Sequence, residues 1–327
     1  MTILTASVWG DKVSVVVDRQ ISRTTPSGAM VLDSEASKLL VVFCQDAIYS
    51  ISYTGVAVAD CRWLDEAIAE CLAFRKLEPA MIQLGAGFIL RRPMYETLKN
   101  LAFNLPIRLR KTKSVFSTGL TLAVVGWHLS PVLKPFACEL IWTPEAGKVG
   151  GRMTTNWQQV DRDLRRCPSG LWMQTWGDTG QKFNQRMEQL GLTQGFTHDD
   201  VERYIVNAIV ERSQETPTVG NQCLALQLDP RDHQGHVQFT YYPSANSEDS
   251  SSFLSGWVLT PTAINSPTRE STCGGSYSAC GNYVLGGFSD PNSGLFVRNR
   301  LPLASKHHGG PQVMSYGVQK RKSPPVL

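Results

Sequence analysis

Thr2 is the residue whose type and position best suit chemistry, because removal of Met1 would free its own α-amine as a base. Thr2 follows Met1 directly and is succeeded by strand-forming residues. We expect Met1 to be removed, so that Thr2 carries a free α-amine. An α-amine titrates at about 7.7–8.0, more than two units below a lysine, so part of it is neutral near pH 7 and can take the hydroxyl proton. Thr2 is therefore a candidate nucleophile.

Such a nucleophile needs three further groups. A cation keeps the amine neutral, a carboxylate holds that cation, and an N–H group stabilises an oxyanion. Asp18 lies sixteen residues after Thr2, at the predicted end of the second strand. Lys38 begins the third strand, and Gly55 ends the fourth, just before a predicted helix whose first N–H groups are free. The candidate site therefore joins Thr2, Asp18, Lys38 and Gly55.

The elements that must position these residues come in blocks. Alternating and β-branched residues predict strands at 2–9, 12–18, 38–44, 47–54, 120–127, 136–142, 222–228 and 237–242. Apolar residues at helical spacing predict helices at about 63–77 (capped by Asp60), 94–105 (ending before Pro106), 181–190 and 199–212. Paired helices between antiparallel strand blocks indicate an α+β protein, a four-layer α-β-β-α sandwich.

Composition divides the chain and narrows its class. It has 327 residues, a formal net charge of +4 and 18% charged residues, so a large core is feasible and a polyelectrolyte is not. Residues 1–245 read as one domain, and residues 246–327 as an irregular Gly/Ser/Pro-rich extension, partly disordered or docked on a neighbour. No apolar run suits a membrane helix or signal peptide, and no basic face suits nucleic acid. We expect a cytoplasmic location.

Other chemistry is poorly represented. There is no phosphate-binding loop, no dinucleotide fingerprint and no serine nucleophile elbow. None of the eight cysteines forms a C-x-x-C pair, and most lie in apolar runs typical of buried thiols. Cys273 and Cys280 lie in a Gly/Ser segment, where a disulfide and a metal site both stay open. We expect no metal and no cofactor.

The order of these residues resembles the proteasome β-subunit family of N-terminal-nucleophile hydrolases. Thr2 and Asp18 match that family without a gap, and Lys38 follows a longer loop. Asp18, Gln20 and Ser22 are most similar to the motif of the bacterial proteasome-like protease that partners with an ATPase ring.

Later segments carry the same resemblance. Residues 177–180 (Gly-Asp-Thr-Gly) stand where the family has Gly-Ser-Gly, and residues 215–220 resemble its Asp-x-x-Ser-Gly-Gly stretch. The resemblance implies that Glu215 and Thr218 support the amine, with Glu215 replacing an aspartate. It also implies that Gln20 and Ser22 line the strand on which a peptide pairs.

The resemblance implies a threonine peptidase that cleaves peptides or unfolded proteins within a homo-oligomeric ring, with an ATPase as a further partner. Two alternatives stay open. One is an inactive ring subunit, which Glu215 and a Gly55 one position out of register would fit. The other is an amidohydrolase of the same superfamily that acts on small amides.

Overall fold

The structure is a computed structural model that describes most of the first 242 residues and four later strands. It describes residues 2–33, 36, 38–59, 62–73, 93–109, 119–144, 151–230, 236–242, 253–261, 272–280, 283–285 and 297–300. The strands are β1 (Ile3–Trp9), β2 (Lys12–Asp18), β3 (Ile21–Thr25), β4 (Gly28–Asp33), β5 (Leu39–Phe43), β6 (Ala47–Gly55), β7 (Val58–Ala59), β8 (Arg62–Trp63), β9 (Leu120–His128), β10 (Lys134–Pro144), β11 (Gly151–Gln158), β12 (Leu171–Gly177), β13 (Cys223–Asp229), β14 (His236–Tyr242), β15 (Phe253–Pro261), β16 (Thr272–Cys280), β17 (Tyr283–Leu285) and β18 (Val297–Arg300). The helices are α1 (Leu64–Ala73), α2 (Met94–Leu109), α3 (Val160–Leu164), α4 (Gly180–Leu192) and α5 (His198–Glu215).

Two sheets dominate the described part of the chain. The six-stranded sheet has the order β12-β1-β2-β13-β14-β18, and the eight-stranded sheet has the order β11-β10-β9-β6-β5-β15-β16-β17. Neighbouring strands are antiparallel except at β14–β18 and β5–β15, which are parallel. The predicted β1–β2 hairpin forms, with Gly10 at the turn in a left-handed conformation at φ +60°.

Alternation along the strands creates the core between the sheets. Leu4, Ala6 and Val8 of β1 point towards the eight-stranded sheet and pack with residues such as Val41 and Val125. The opposite face of the six-stranded sheet packs on α4 and α5, and that of the eight-stranded sheet packs on α1 and α2. The first strands are thus buried on both faces, and their ends lie at one edge of the core.

The predicted four-layer α-β-β-α sandwich is wrong. The described residues form eighteen strands and five helices, mostly antiparallel sheet, and both large sheets are open. A helix is about 10 Å wide and strands lie about 4.8 Å apart, so two helices span only about four strands. The helices therefore do not form complete outer layers over sheets of six and eight strands.

The predicted irregular C-terminal extension is also corrected. β15 pairs with β5, and β18 pairs with β14, so strands from beyond residue 245 lengthen both sheets. β16 holds Cys273 and Cys280 seven residues apart in one extended strand. At about 3.3 Å per residue their Cα atoms are separated by about 23 Å, too far for a disulfide between them. The division into residues 1–245 and 246–327 stays a prediction.

Other local predictions differ from the structure in instructive ways. The segment predicted as a loop before Lys38 contains the β3–β4 hairpin. Helix α2 continues through Pro106 to Leu109, because Leu105 and Leu109 are buried against α1 and the sheet and Pro106 is buried as well. Packing thus offsets the hydrogen bond that a proline removes. The predicted cap Asp60 lies outside the described residues.

Two further searches cover the described residues only. No helix among them is both long and apolar enough to cross a membrane. No group of three or more His, Cys, Asp or Glu side chains there is arranged to hold a metal ion. Among the described residues, Cys44, Cys71, Cys138 and Cys223 are buried and are not joined in disulfides.

Candidate functional site

Thr2 lies at the start of β1, where its backbone is held by the end of β12. The register pairs Ile3 with Gly177, and the N–H of Asp178 donates to the Thr2 carbonyl oxygen at 3.1 Å. Gly177 has φ +102°, and a Cβ there would lie 1.6 Å from the Thr2 carbonyl oxygen. Only glycine permits this close approach, so it fixes the position of the Thr2 backbone. Thr2 itself is only 6% exposed.

The Lys38 ammonium is the centre of the site. Its Nζ donates to Thr2 Oγ1 at 2.5 Å, to the Gln20 carbonyl oxygen at 2.5 Å, and to both Asp18 carboxylate oxygens at 3.2 Å. Lys38 is 1% exposed. An ammonium has three N–H donors, and these partners use all of them. The cation therefore has a fixed orientation, with one donor on the threonine hydroxyl.

Asp18 is completely buried and is held on every side. Its Oδ1 accepts from the Ile3 N–H at 2.8 Å, and its Oδ2 accepts from the N–H groups of Gln20 at 3.2 Å and Gly220 at 3.1 Å. Together with Lys38 these donors come from β1, from the turn after β2 and from the segment before β13. Asp18 is thus held by several N–H donors and is the counterion of Lys38.

Burial makes the Lys38 ammonium less stable than an exposed one. Desolvation lowers the pKa of Lys38 from its ordinary value, and the charge and hydrogen bonds of Asp18 oppose this shift. Since desolvation outweighs the attraction, Lys38 gives up a proton more readily than a surface lysine. An ammonium of this kind is a strong hydrogen-bond donor to the hydroxyl of Thr2 and favours a developing alkoxide.

A small pocket opens beside the hydroxyl. Thr2, Ser22, Lys38 and Gly55 line it together with four further residues. Its volume is about 10 Å³, room for about one water molecule. The four further lining residues are Ile21, Tyr53, Val56 and Ala57.

Gly55 reaches this pocket in a different way from the one predicted. It ends β6 with φ +102°, where a Cβ would lie 2.0 Å from the Gly119 carbonyl oxygen. Helix α1 begins only at Leu64, after β7 and β8, so Gly55 does not lie at a helix N-terminus. Its position at the pocket wall thus follows from its strand and the close approach of residue 119.

Gln20 and Ser22 contact the segment before β13. The Gln20 side-chain amide donates to the Pro217 carbonyl oxygen at 2.6 Å, and the Ser22 hydroxyl donates to the Thr218 carbonyl oxygen at 3.0 Å. Gly220 packs on Gln20 so closely that a Cβ would lie 2.6 Å from the Gln20 Cβ. Both side chains therefore hold this segment against the site, a role that the sequence did not predict.

Glu215 and Thr218 behave differently from one another. Glu215 binds Lys182 at 2.6 Å and Arg212 at 3.0 Å in a partly exposed cluster, and these hydrogen bonds lower its pKa, Lys182 most. Thr218 is buried, and its hydroxyl donates to Asp178 Oδ2 at 2.9 Å. The structure thus separates the predicted pair, since Thr218 contacts a different carboxylate.

That carboxylate, Asp178, is a residue that sequence reasoning did not single out. Its Oδ1 accepts from Arg212 at 2.8 Å, and Arg212 also donates to the Asp178 carbonyl oxygen at 3.1 Å. Burial raises the pKa of Asp178, but hydrogen bonds from Arg212 and Thr218 outweigh it and hold the pKa below its ordinary value. The sequence did show an aspartate in the Gly-Asp-Thr-Gly segment. Its position opposite Thr2 was missed because strand β12, which places it there, was not predicted.

Comparisons with known proteins give likenesses in structure and none in sequence. No protein-family model and no curated protein matches the chain. Solved structures that are similar include Anbu (ancestral beta-subunit) from Yersinia bercovieri, at 14% identity over 69% of this chain and 81% of that one, with a TM-score of 0.43. A Gly-1 mutant of Anbu from Hyphomicrobium sp. strain MC1 has 11% identity over 76% and 89%, with a TM-score of 0.46. The helical assembly of the Anbu complex from Pseudomonas aeruginosa has 12% identity over 76% and 88%, with a TM-score of 0.48.

These comparisons correct the family resemblance drawn from the motifs. The similar structures are Anbu proteins, whereas the motif comparison indicated the ATPase-partnered protease within the N-terminal-nucleophile hydrolases. No match identifies the chain as a member of that protease family.

Proposed function

We propose that this chain hydrolyses amide bonds, with peptides as the first substrates to test, and that Thr2 is the nucleophile. The observation that supports this proposal most directly is the contact of 2.5 Å between the buried Lys38 ammonium and Thr2 Oγ1. A threonine hydroxyl that only supported the fold would not need an ammonium balanced by a buried carboxylate. Burying such a pair is costly, and its presence beside a hydroxyl in a pocket is typical of functional sites.

The proposed reaction needs the bond before Thr2 to be cleaved, which frees the α-amine. Thr2 Oγ1 attacks the amide carbonyl carbon, the amine takes the hydroxyl proton, and the Gly55 N–H stabilises the oxyanion. The amine then gives its proton to the leaving nitrogen as the C–N bond breaks, which leaves an ester on Thr2. Water hydrolyses that ester. Lys38 stabilises the alkoxide throughout, and Asp18 holds Lys38.

This proposal is tested by replacing two threonines of the first strand region, Thr2 and Thr5, one at a time. Thr2→Ala should abolish hydrolysis of fluorogenic peptides, Thr2→Ser should retain part of it, and Thr5→Ala should leave it unchanged. Thr5 is the matched control because it is also buried on β1 but contacts Thr175. N-terminal sequencing should find Thr2 as the first residue. Equal activity in Thr2→Ala, or an active protein that retains Met1, would overturn the proposal.

A small-amide hydrolase is the second candidate. The narrow pocket, walled by Ile21, Tyr53 and Val56, favours it, because a large side chain next to the scissile bond would not fit without rearrangement. Assaying short amides beside longer peptides separates the two, since a peptidase gains kcat/KM with substrate length. The third possibility, an inactive subunit, predicts that neither class is cleaved.

The assembly and its partners stay proposals as well. We propose self-association of the chain, with the predicted ring as one form and a helical assembly, the form named for the Pseudomonas aeruginosa Anbu complex, as another. Electron microscopy of the purified protein distinguishes rings from filaments. The ATPase partner and the cytoplasmic location stay predictions.

A further inference from the structure

We infer that Asp178, and not Glu215, is the acidic residue that orients the Thr2 amine and sets its basicity. This inference rests on the proposed function, because it concerns the amine that acts there as the base. The first step is the register. β1 and β12 pair Ile3 with Gly177, and the next step of the ladder, the Asp178 N–H to Thr2 carbonyl hydrogen bond, sets Asp178 opposite Thr2. Directly opposed residues have Cβ atoms about 4.5–5.5 Å apart.

The second step is the rigidity of the Asp178 carboxylate. Arg212 contacts both its backbone carbonyl and its Oδ1, while Thr218 donates to its Oδ2. Gly180 leaves room for this arrangement, since a Cβ there would lie 2.7 Å from the Arg212 guanidinium carbon. A carboxylate held from two sides by α5 and by the segment before β13 has a fixed direction. It can therefore act as a positioning group for its neighbour.

The third step is the placement of the competing carboxylate. Glu215 is bound by Lys182 and Arg212, both from helices on the outer side of the six-stranded sheet. Glu215 thus binds the Arg212 Nη1 atom, whereas Asp178 binds the Nη2 atom. Removing the Glu215 charge should therefore change the pKa of the Thr2 amine little.

The charges around the amine determine the direction of its pKa. Lys38 and Arg212 are cations that favour the neutral amine, whereas Asp18 and Asp178 are carboxylates that favour the ammonium. Asp18 is paired with Lys38 and Asp178 with Arg212, and of the two carboxylates Asp178 belongs to the residue that lies opposite Thr2 in the strand pairing. Lys182 and Glu215 form an exposed pair whose charges cancel.

The experiment compares Asp178→Asn with Glu215→Gln. Asp178→Asn should move the acid limb of the pH profile of kcat/KM down by about one unit, because a carboxylate near the ammonium is lost, and should lower the plateau about tenfold. Asp178→Glu should restore the position of the limb. Glu215→Gln should leave both the position of the acid limb and the plateau of kcat/KM unchanged. Arg212→Gln should move the limb upward, the opposite direction, and this serves as the second variant if Asp178→Asn does not fold.

A second measurement reads the amine without hydrolysis. Cyanate carbamylates only the neutral amine, so the pH dependence of Thr2 carbamylation, followed by mass spectrometry, gives the amine pKa directly. If the pKa shifts in Asp178→Asn while no protein hydrolyses substrate, the inference stands and the proposed function fails. If Thr2→Ala is inactive but Asp178→Asn and Glu215→Gln titrate alike, the inference alone fails. Retention of Met1 overturns both.

Discussion

At the residue scale, the candidate site centres on the hydrogen bonds of one ammonium. Lys38 contacts Thr2, Asp18 and the Gln20 carbonyl, so the charge of one side chain depends on residues from three parts of the chain. Burial lowers the pKa of Lys38, and the charge and hydrogen bonds of Asp18 oppose this shift. The balance makes Lys38 responsive to pH, and its proton state should be visible in the activity.

We expect a bell-shaped pH profile of kcat/KM. The acid limb reports protonation of the Thr2 amine, which abolishes the base. The alkaline limb reports loss of the Lys38 proton, and it should fall below pH 10.5, the ordinary lysine value, because burial lowers this pKa. Lys38→Arg should remove the alkaline limb, since a guanidinium stays charged. Rates measured from pH 5 to 11 check this, and an alkaline limb that persists in Lys38→Arg would contradict it.

The buried pair should also dominate stability at the site. Lys38→Met leaves Asp18 charged and without its cation, and we expect a loss of about 3–5 kcal/mol in the free energy of unfolding. Asp18→Asn should cost a similar amount. The double variant should lose clearly less than the sum, because neither charge is then left alone. Urea unfolding of the four proteins measures the coupling, and strictly additive losses would show that the two side chains act independently.

At the scale of elements, the approach of β12 to β1 decides where Thr2 lies. Gly177 brings its backbone onto the Thr2 carbonyl, and the following residue, Asp178, completes the ladder. The segment before β13 closes the other side through Gln20, Ser22 and Gly220. The site is therefore built from strand ends and not from a helix terminus, as the placement of Gly55 also indicates.

Gly177→Ala tests this close approach. Its Cβ would lie 1.6 Å from the Thr2 carbonyl oxygen at φ +102°, so we expect a loss of about 3 kcal/mol and almost no activity. Gly170→Ala is the matched control, because φ is +65° there but nothing lies within 4 Å of the added Cβ. It should cost about 1 kcal/mol of strain and keep the activity. Equal losses in both variants, measured by thermal unfolding and peptide hydrolysis, would refute the role of this contact.

At the scale of the whole molecule, the later strands complete both sheets. β15 lies beside β5, and β18 lies beside β14. Leu39 and Val41 of β5 belong to the core between the two sheets. Without β15 and β18, strands β5 and β14 would present unpaired backbone groups at new sheet edges. Such edges pair with other chains and lead to aggregation.

Deleting residues 246–327 should therefore give a less stable protein that aggregates. A shorter deletion of residues 301–327, which removes none of the described strands, is the matched control and should behave like the full chain. Size-exclusion chromatography with light scattering and a thermal melt measure both effects. A truncated protein with the elution and melting temperature of the full chain would show that the later strands are dispensable.

Residue types and spacing alone were enough to predict many of the local elements and to group three polar residues at strand ends. β1, β2, β5, β6 and the hairpin of β13 and β14 follow from alternation and β-branched residues, because these patterns are local. Thr2, Asp18 and Lys38 were named as one site because consecutive hairpins bring strand ends together. Lys38 Nζ lies 2.5 Å from Thr2 Oγ1 and 3.2 Å from Asp18 Oδ1, so the three side chains are in contact, and their catalytic role stays a prediction.

Tertiary structure decided the rest, because it depends on contacts between residues far apart in the chain. The partner of Thr2 at its backbone is Asp178, which only the pairing of β1 with β12 reveals, and Arg212 and Thr218 then hold its carboxylate. Glu215 is instead bound by Lys182 and Arg212, on the helices that cover the outer face of the six-stranded sheet. The extent of the sheets was equally hidden, since β15 and β18 come from a Gly/Ser/Pro-rich segment whose composition indicates irregular backbone. Strand pairing of this kind is set by the edge that is available, which no local pattern records.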